Sequence, residues 1–415
     1  MRARRSVLIC LLTTVNTILF AQHKGGTGLP LDGKRAETGD SAFYQRQHDL
    51  VDISLFILHG KYNSRSAEHG ITDTKIYISA APVVEYTIAT GFSPGIAGNL
   101  AKKSSVNVPT NTSSLLGAIK YTQKKQLLLP FQTSYWTPGN RYNLLGDWRF
   151  LNYVQDSYGL GGNTLPSEKY TITYKYIRFY ETLLKQFSGH LYGGVGYQLD
   201  YHWKIREIDI PTGLITDFQK YGYAPQSSSS GLTLLAVYDS RENSINPEGG
   251  AAYAKLQFLQ NTTLLGSTSN SNSVIVDLRK YFGIRKHDVL ALWFYSSLTI
   301  SGNPPYLDLP GTGSDTYNNV GRGYEQNRYT GKELLYVEAE YRFGITRDGL
   351  VGGVLFSNVQ SVSEPNGNTF RYLLPGAGFG LRIKFNKFSR TNACIDYGYG
   401  IRGSRGFVGN LGEVF

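Results

Sequence analysis

Leu335-Tyr336-Val337-Glu338-Ala339-Glu340-Tyr341-Arg342-Phe343 alternates without a break. Leu335, Val337, Ala339, Tyr341 and Phe343 fall on one face of an extended strand; Tyr336, Glu338, Glu340 and Arg342 fall on the other. Three charges on one face do not suit a sandwich core. They suit a wall with lipid on one side and a polar, watery lumen on the other. Just before this strand a long polar stretch carries an arginine between two glycines, Val320-Gly321-Arg322-Gly323-Tyr324. A flexible loop of this kind beside such a wall suggests a loop folded into a barrel and anchored there.

The alternation recurs outward along the chain. Tyr170–Tyr176 sets Thr171, Thr173 and Lys175 on one face, and Ala252–Phe258 turns Tyr253, Lys255 and Gln257 inward. Asp277 and Arg279 share a face opposite Val276 and Leu278, and Leu381–Phe385 turns Arg382 and Lys384 inward. A charged face repeated over many strands is too costly for a dry core. A water-filled lumen removes the cost. From residue 154 on, long polar links (154–167, 204–229, 261–272, 302–331, 359–373) alternate with short ones (183–187, 241–248, 284–287, 344–348, 387–390). Long loops at one end and tight turns at the other are the signature of an outer-membrane barrel.

The fold class expected is therefore all-β, a transmembrane antiparallel barrel. Sixteen strands are expected, at about 72–84, 88–98, 112–122, 125–137, 140–153, 168–182, 188–203, 229–240, 249–260, 273–283, 288–301, 332–343, 349–359, 374–386, 391–401 and 406–415, with fourteen as the alternative. High Tyr (31) and Gly (47), with no 20-residue apolar run, argue for β-structure with aromatic belts and against spanning helices.

Arg2, Arg4 and Arg5 precede an apolar run, Val7–Phe20, and then Ala21. That run is too short to span a bilayer and reads as a signal peptide over 1–21. Its removal would lower the formal net charge of +11 by three and take away Cys10, leaving Cys394 without an internal disulfide partner. The remaining Lys and Arg are spread through strands and loops, so no nucleic-acid partner is expected. The expected surroundings are outer-membrane lipid and lipopolysaccharide. Residues 22–71 read as a periplasmic segment with a short helix over 48–60 that starts near Asp49, a strand being the competitor. The barrel would occupy 72–415. No Cys/His cluster has metal-ligand spacing, and no metal or cofactor is expected. Gly39-Asp40-Ser41 lies in the polar lead-in, and His190 and His202 lie on one hairpin without a Gly-x-Ser-x-Gly turn, so catalysis is not expected.

The C-terminal half resembles the barrel of BamA/TamA-type outer-membrane assembly proteins, the bacterial surface antigen family. Residues 229–415 carry the likeness, and 72–228 share its general character. Val320–Tyr324 looks like that family's arginine motif in the sixth extracellular loop, and the strand count puts it between strands eleven and twelve. The resemblance implies that Arg322 folds into the lumen and finds acceptors on the wall. Its five donors in a fixed fork suit Glu338, Glu340 and Asp396. Asn358 stands near where the family has an aspartate, so it would offer a neutral acceptor and no ion pair. Asp239-Ser240-Arg241-Glu242-Asn243 with Pro247 and Gly249 is similar to the family's acidic-arginine turn; here Asp239 and Asn243 would cap the backbone.

Gly412, Glu413 and Phe415 look like the family's terminal insertion signal at the end of an amphipathic strand. Three glycines, Gly406, Gly409 and Gly412, would weaken that last strand beside the first. The family's mechanism, a seam between first and last strand that templates client outer-membrane proteins, is implied by resemblance alone. Members usually carry POTRA domains before the barrel. The segment before the first strand is shorter than one such domain, so client capture would be by that segment, by a separate periplasmic partner, or absent. Two other readings stand beside this one: a plugged channel for small solutes or lipid, and a structural subunit of an envelope complex.

Overall fold

A computed structural model describes residues 48–50, 52–53, 74–87, 91–108, 110–241, 243–285, 287–316, 318–386 and 390–415. It contains one sheet of 16 strands in which each strand pairs antiparallel with the next in sequence. They are β1 (Tyr77–Thr87), β2 (Gly91–Lys103), β3 (Thr112–Tyr121), β4 (Leu127–Trp136), β5 (Tyr142–Ser157), β6 (Tyr170–Ser188), β7 (Leu191–Ile208) and β8 (Gln226–Asp239), then β9 (Ala252–Asn261), β10 (Ser271–Arg285), β11 (Asp288–Gly302), β12 (Glu333–Gly344), β13 (Val351–Val362), β14 (Leu374–Asn386), β15 (Thr391–Gly400) and β16 (Arg405–Leu411). A six-residue helix, α1 (Asp217–Gly222), sits in the link between β7 and β8.

The pleat sorts the side chains as the alternation requires. On β12 Tyr336, Glu338, Glu340 and Arg342 are buried inside, while Val337 is exposed outside. The outer face presents Leu232, Leu234, Leu256, Leu355, Leu381 and Ile395, all exposed. A soluble monomer rarely shows so extensive an apolar surface. Inside, two clusters fill the lumen: Trp293, Tyr295, Tyr336, Phe415 and neighbours in one half, and Tyr170, Ile172, Tyr174, Tyr176 and Ile205 in the other.

Three expectations need correction. On β6 the inward set is Tyr170, Ile172, Tyr174 and Tyr176, so Thr171, Thr173 and Lys175 face outward with the exposed Phe179. This strand has 19 residues, about 60 Å at 3.3 Å per residue. Even tilted, a strand of this length exceeds the hydrocarbon thickness of a bilayer, so the expected barrel can carry polar residues on its outer face at this end. Second, β16 stops at Leu411 and not at 415. Gly412 adopts a left-handed conformation (φ 92°) and turns the chain inward, so only Gly406 and Gly409 lie in the ladder. Third, β1 begins at Tyr77 and not at about 72, and residues 72–73 lie outside the described residues.

The expected helix near Asp49 has a defined start. Asp49 and Asp52 exchange side-chain-to-backbone hydrogen bonds (Asp52 N to Asp49 Oδ1 2.8 Å, Asp49 N to Asp52 Oδ2 3.2 Å), and Ile53 N donates to Asp49 O. That reciprocal cap fixes a first turn. Residues 54–60 of the expected helix, the expected signal peptide and Gly39-Asp40-Ser41 lie outside the described residues. His48 N donates to Asp348 O, tying this turn to the β12–β13 link.

Candidate functional site

In the link between β11 and β12, the described residues 303–316 and 318–332 form a hairpin inside the barrel. Gly311 bridges Thr330, Thr312 N donates to Tyr329 O, and Gly313 N donates to Val320 O. Asp315 Oδ1 accepts from the backbone of Asn319 (2.6 Å) and Val320 (2.7 Å), closing the tip. Gly321 and Gly323 both have positive φ (82° and 100°), a conformation disfavoured for other residues. Their turn directs the Arg322 side chain to the inner face of β12 and β15.

Arg322 is 3% exposed. Its Nη2 bonds Glu338 and donates to Glu340 Oε2 (2.6 Å), and Nη1 donates to Asp396 Oδ2 (2.8 Å). The guanidinium lies 3.8 Å from the centre of the Phe356 ring, a cation–π contact. Burial works against the charge, yet Glu338, Glu340 and Asp396 outweigh it and hold the guanidinium well above its ordinary pKa. Glu338 and Glu340, two apart on β12, face the same way because the strand has period two. Asp396 comes from β15, three strands along the sheet, and curling of the sheet through β13 and β14 brings it near.

Asn358 also meets Arg322, with its role reversed from the expectation. Its Nδ2 donates to the Arg322 carbonyl (3.1 Å) and does not receive the guanidinium. A neutral amide has donors that an aspartate lacks, and the three carboxylates already occupy the fork. Val320 and Tyr324 flank the motif as buried packing, and Tyr324 Oη donates to Pro375 O.

Around this contact the charges form a wider network. Arg382 Nε donates to Glu413 Oε2 (2.7 Å) and its Nη1 to Asp396 Oδ1 (2.5 Å). Arg342 Nε donates to Glu340 Oε1 (2.7 Å) and its Nη2 to Phe415 O (2.7 Å). Three arginines thus face Glu338, Glu340, Asp396 and Glu413. Glu413 and the Phe415 carbonyl join this cluster beyond the end of β16, while Gly412 N donates to Asn392 O. Phe415 stacks on Trp293 (5.1 Å between centroids), and Val414 O accepts from Asn319 of the hairpin.

The hairpin has further anchors that sequence reasoning missed. Tyr306 Oη lies 3.0 Å from Ser157 Oγ and 2.9 Å from Tyr170 Oη, and Ser229 Oγ donates to Asp308 Oδ2 (2.6 Å). Burial pushes the Asp308 carboxyl well above the usual carboxylate range, ahead of the effect of nearby Asp200. Arg328 Nη1 donates to Thr164 Oγ1 (2.8 Å). The loop's tyrosine and acid content was the available signal, but nothing local names the strands they reach. His202 lies 3.7 Å from Asp308, while Ser229 donates to that aspartate and not to the histidine. No nucleophile–base pair forms there. His190 lies at the β6–β7 turn beside Tyr238. In the β8–β9 link Arg241 pairs with Asp239 (2.8 Å), and Asn243 Oδ1 accepts from Ile245 N (2.8 Å), as a capped turn requires.

Close packing at the tip yields a prediction. A Cβ built on Gly398 of β15 would lie 2.7 Å from Gly323 Cα, with backbone on both sides. Gly398→Val should therefore displace the tip and increase protease cleavage within 303–332. The conservative control Ala339→Val, on the outer face of β12, should leave cleavage unchanged. Equal cleavage of Gly398→Val and the parent chain would show that the tip does not need this approach.

Solved structures share this architecture. BamA from Haemophilus ducreyi lacking POTRA domains 1-3 superposes with a TM-score of 0.54 at 13% identity, covering 98% of this chain and 92% of that one. CdiB from Escherichia coli gives 0.55 at 9% identity, covering 82% and 63%. CdiB from Acinetobacter baumannii gives 0.52 at 15% identity, covering 81% and 60%. The chain spans about three fifths of the length of the CdiB structures it matches. No protein-family model and no curated protein matches the sequence. At these identities the likeness is one of fold: a 16-stranded all-β barrel architecture of the BamA and CdiB type.

Proposed function

We propose that the chain spans the bacterial outer membrane and acts there in inserting or translocating proteins, through a seam between β1 and β16. The observation that carries this reading is the seam. Every neighbouring pair from β1–β2 to β15–β16 forms a ladder, whereas among the described residues no ladder joins β1 to β16, although the two strands lie side by side. Lipid cannot satisfy backbone N–H and C=O groups, so an unpaired edge there favours acceptance of another strand. The fold likeness to BamA and CdiB supports the same role. Partners would be client outer-membrane proteins, delivered by the 22–71 segment or by a periplasmic partner. Depletion of the protein followed by a census of outer-membrane proteins tests this: loss of specific barrels supports it, and an unchanged census overturns it.

The filled lumen bears on the channel reading. With hairpin 303–332 bonded to the walls of both halves, planar-bilayer recordings should show small, flickering conductance. A large steady conductance would favour a solute channel instead.

Membrane residence has its own check. The protein should fractionate with the outer membrane and migrate faster unheated than boiled on a mildly denaturing gel. Recovery as a soluble periplasmic protein would overturn the spanning barrel and the proposed function with it.

A further inference from the structure

The outer face of β5–β7 carries a feature that neither the seam nor the lumen uses. At the end bearing the long loops, Lys124 and Lys169 line a surface groove of about 500 Å³, and Lys175 on β6 and the exposed Lys204 and Arg206 on β7 stand on the strands that border it. Lys124 and Lys169 both reach Asp156, at 3.4 and 2.7 Å. Lys175 stands opposite Trp203, and Arg206 opposite Thr173, so both point outward on adjoining strands. A bulge in β7 makes this possible: Lys204 has φ 56°, which adds a residue to the strand and turns Arg206 out while Ile205 stays buried. The carboxylates nearby are Asp156, already shared by two lysines, Glu325, 4.0 Å from Lys169, Asp209, and Glu168, whose Oε2 caps Leu165 N. Five cations meet four carboxylates.

Directly below, toward the middle of the wall, the same face turns aromatic. Tyr201 and Trp203 stack at 5.4 Å, Phe150 lies 6.1 Å from Trp203, and Phe179 follows on β6 with Trp148 stacked on it at 6.2 Å. Amphipathic rings settle at the boundary between hydrocarbon and headgroups. Cations just above such a belt sit at headgroup height, beside a low-dielectric wall that strengthens their field.

We propose that this patch is a binding site for a phosphate-bearing lipid headgroup of the surrounding leaflet, with the acyl chains lying against Phe150, Trp203 and Phe179. Each lysine ammonium has three donors; Asp156 takes one on Lys124 and one on Lys169, and Glu325 lies 4.0 Å from Lys169, so each lysine keeps a donor for phosphate oxygens. Arg206 adds a planar fork suited to the same oxygens. The continuity of cations with the belt selects a lipid over a free phosphate ion. The inference rests on the membrane-spanning reading.

The test uses the full chain, first reconstituted into neutral-lipid vesicles and then purified in detergent and titrated for native mass spectrometry. The probes are diphosphoryl lipid A, its dephosphorylated form, and inorganic phosphate. The parent chain should float with neutral vesicles and retain the diphosphoryl lipid in clear preference to the dephosphorylated one. The double variant Lys175→Gln/Arg206→Gln removes two outward cations and should lower that retention about twenty-fivefold, roughly fivefold for each basic side chain lost. Arg285→Gln, on β10 at the opposite end, should change nothing. Failure to float would overturn the membrane reading itself. Flotation with equal retention of both lipids, or with equal retention by parent and double variant, would overturn the headgroup site alone. Full competition by inorganic phosphate at the same concentration would also overturn it, since the ligand would then be the free anion.

Discussion

Replacing Arg322 with alanine is expected to release hairpin 303–332 from the wall. The guanidinium is bonded to Glu338, Glu340 and Asp396, and all four groups are almost wholly buried. Its loss would leave Glu338, Glu340, Asp396 and Glu413 facing Arg342 and Arg382 alone. Breaking a buried pair by removing one partner costs about 3–5 kcal/mol, because the remaining charge is stranded. At 1.36 kcal/mol per factor of ten, the released population should rise by about two to four orders of magnitude. Water entering the lumen would reduce that figure. Protease access to 303–332 should increase and pore conductance should rise with it. Pairing Arg322→Ala with Glu338→Gln should recover part of the loss, since one stranded charge goes too. If neither cleavage nor conductance changes in Arg322→Ala, the arginine does not anchor the loop.

A disulfide across the seam should stop the proposed function while leaving the barrel folded. In a chain with Cys394 replaced, cysteines placed on facing positions of β1 and β16 should crosslink readily because the strands already lie side by side. β16 pairs with β15 over only Arg405–Leu411 and contains Gly406 and Gly409, so few cross-strand side-chain contacts hold it. Each such contact contributes roughly 0.2–1 kcal/mol. An incoming strand could replace the missing backbone hydrogen bonds of the edge, which is what would make opening tolerable in lipid. The oxidised protein should keep its heat-modifiable gel shift and lose its effect on other barrels, and reduction should restore it. Equal activity of the oxidised and reduced forms would show that opening is unnecessary and would favour a channel.

Much of this architecture was legible in the chain because strand facing is a local property. Successive side chains must point to opposite faces, so Glu338, Glu340 and Arg342 declare a polar interior whatever surrounds them. Sixteen strands followed from turn residues and spacing, but strand ends moved by up to six residues, and the expected short link at 183–187 lies within β6, whose turn to β7 comes at 189–190. The glycines around Arg322 marked a turn and a fork-shaped donor in need of acceptors. Reading failed where alternation had no unique meaning. On β6 both faces carry polar or amphipathic groups, and which one met water depended on how far the strand rises beyond the bilayer. It failed again at the end of the chain, where Gly412 could continue a strand or leave it.

The sequence by itself therefore determined the sheet, the inward and outward face of most strands, and the identity of the loop arginine. Only the tertiary structure decided what that arginine meets. Glu338 is 16 residues away and Asp396 is 74, and Arg382, Glu413 and Phe415 enter the same cluster from β14 and from the segment after β16. Those contacts exist because the sheet curls until β12, β14 and β15 surround one point in the lumen. Curling is set by twist, register and the packing of the hairpin together, quantities summed over the whole chain, and no local pattern of residues encodes their total.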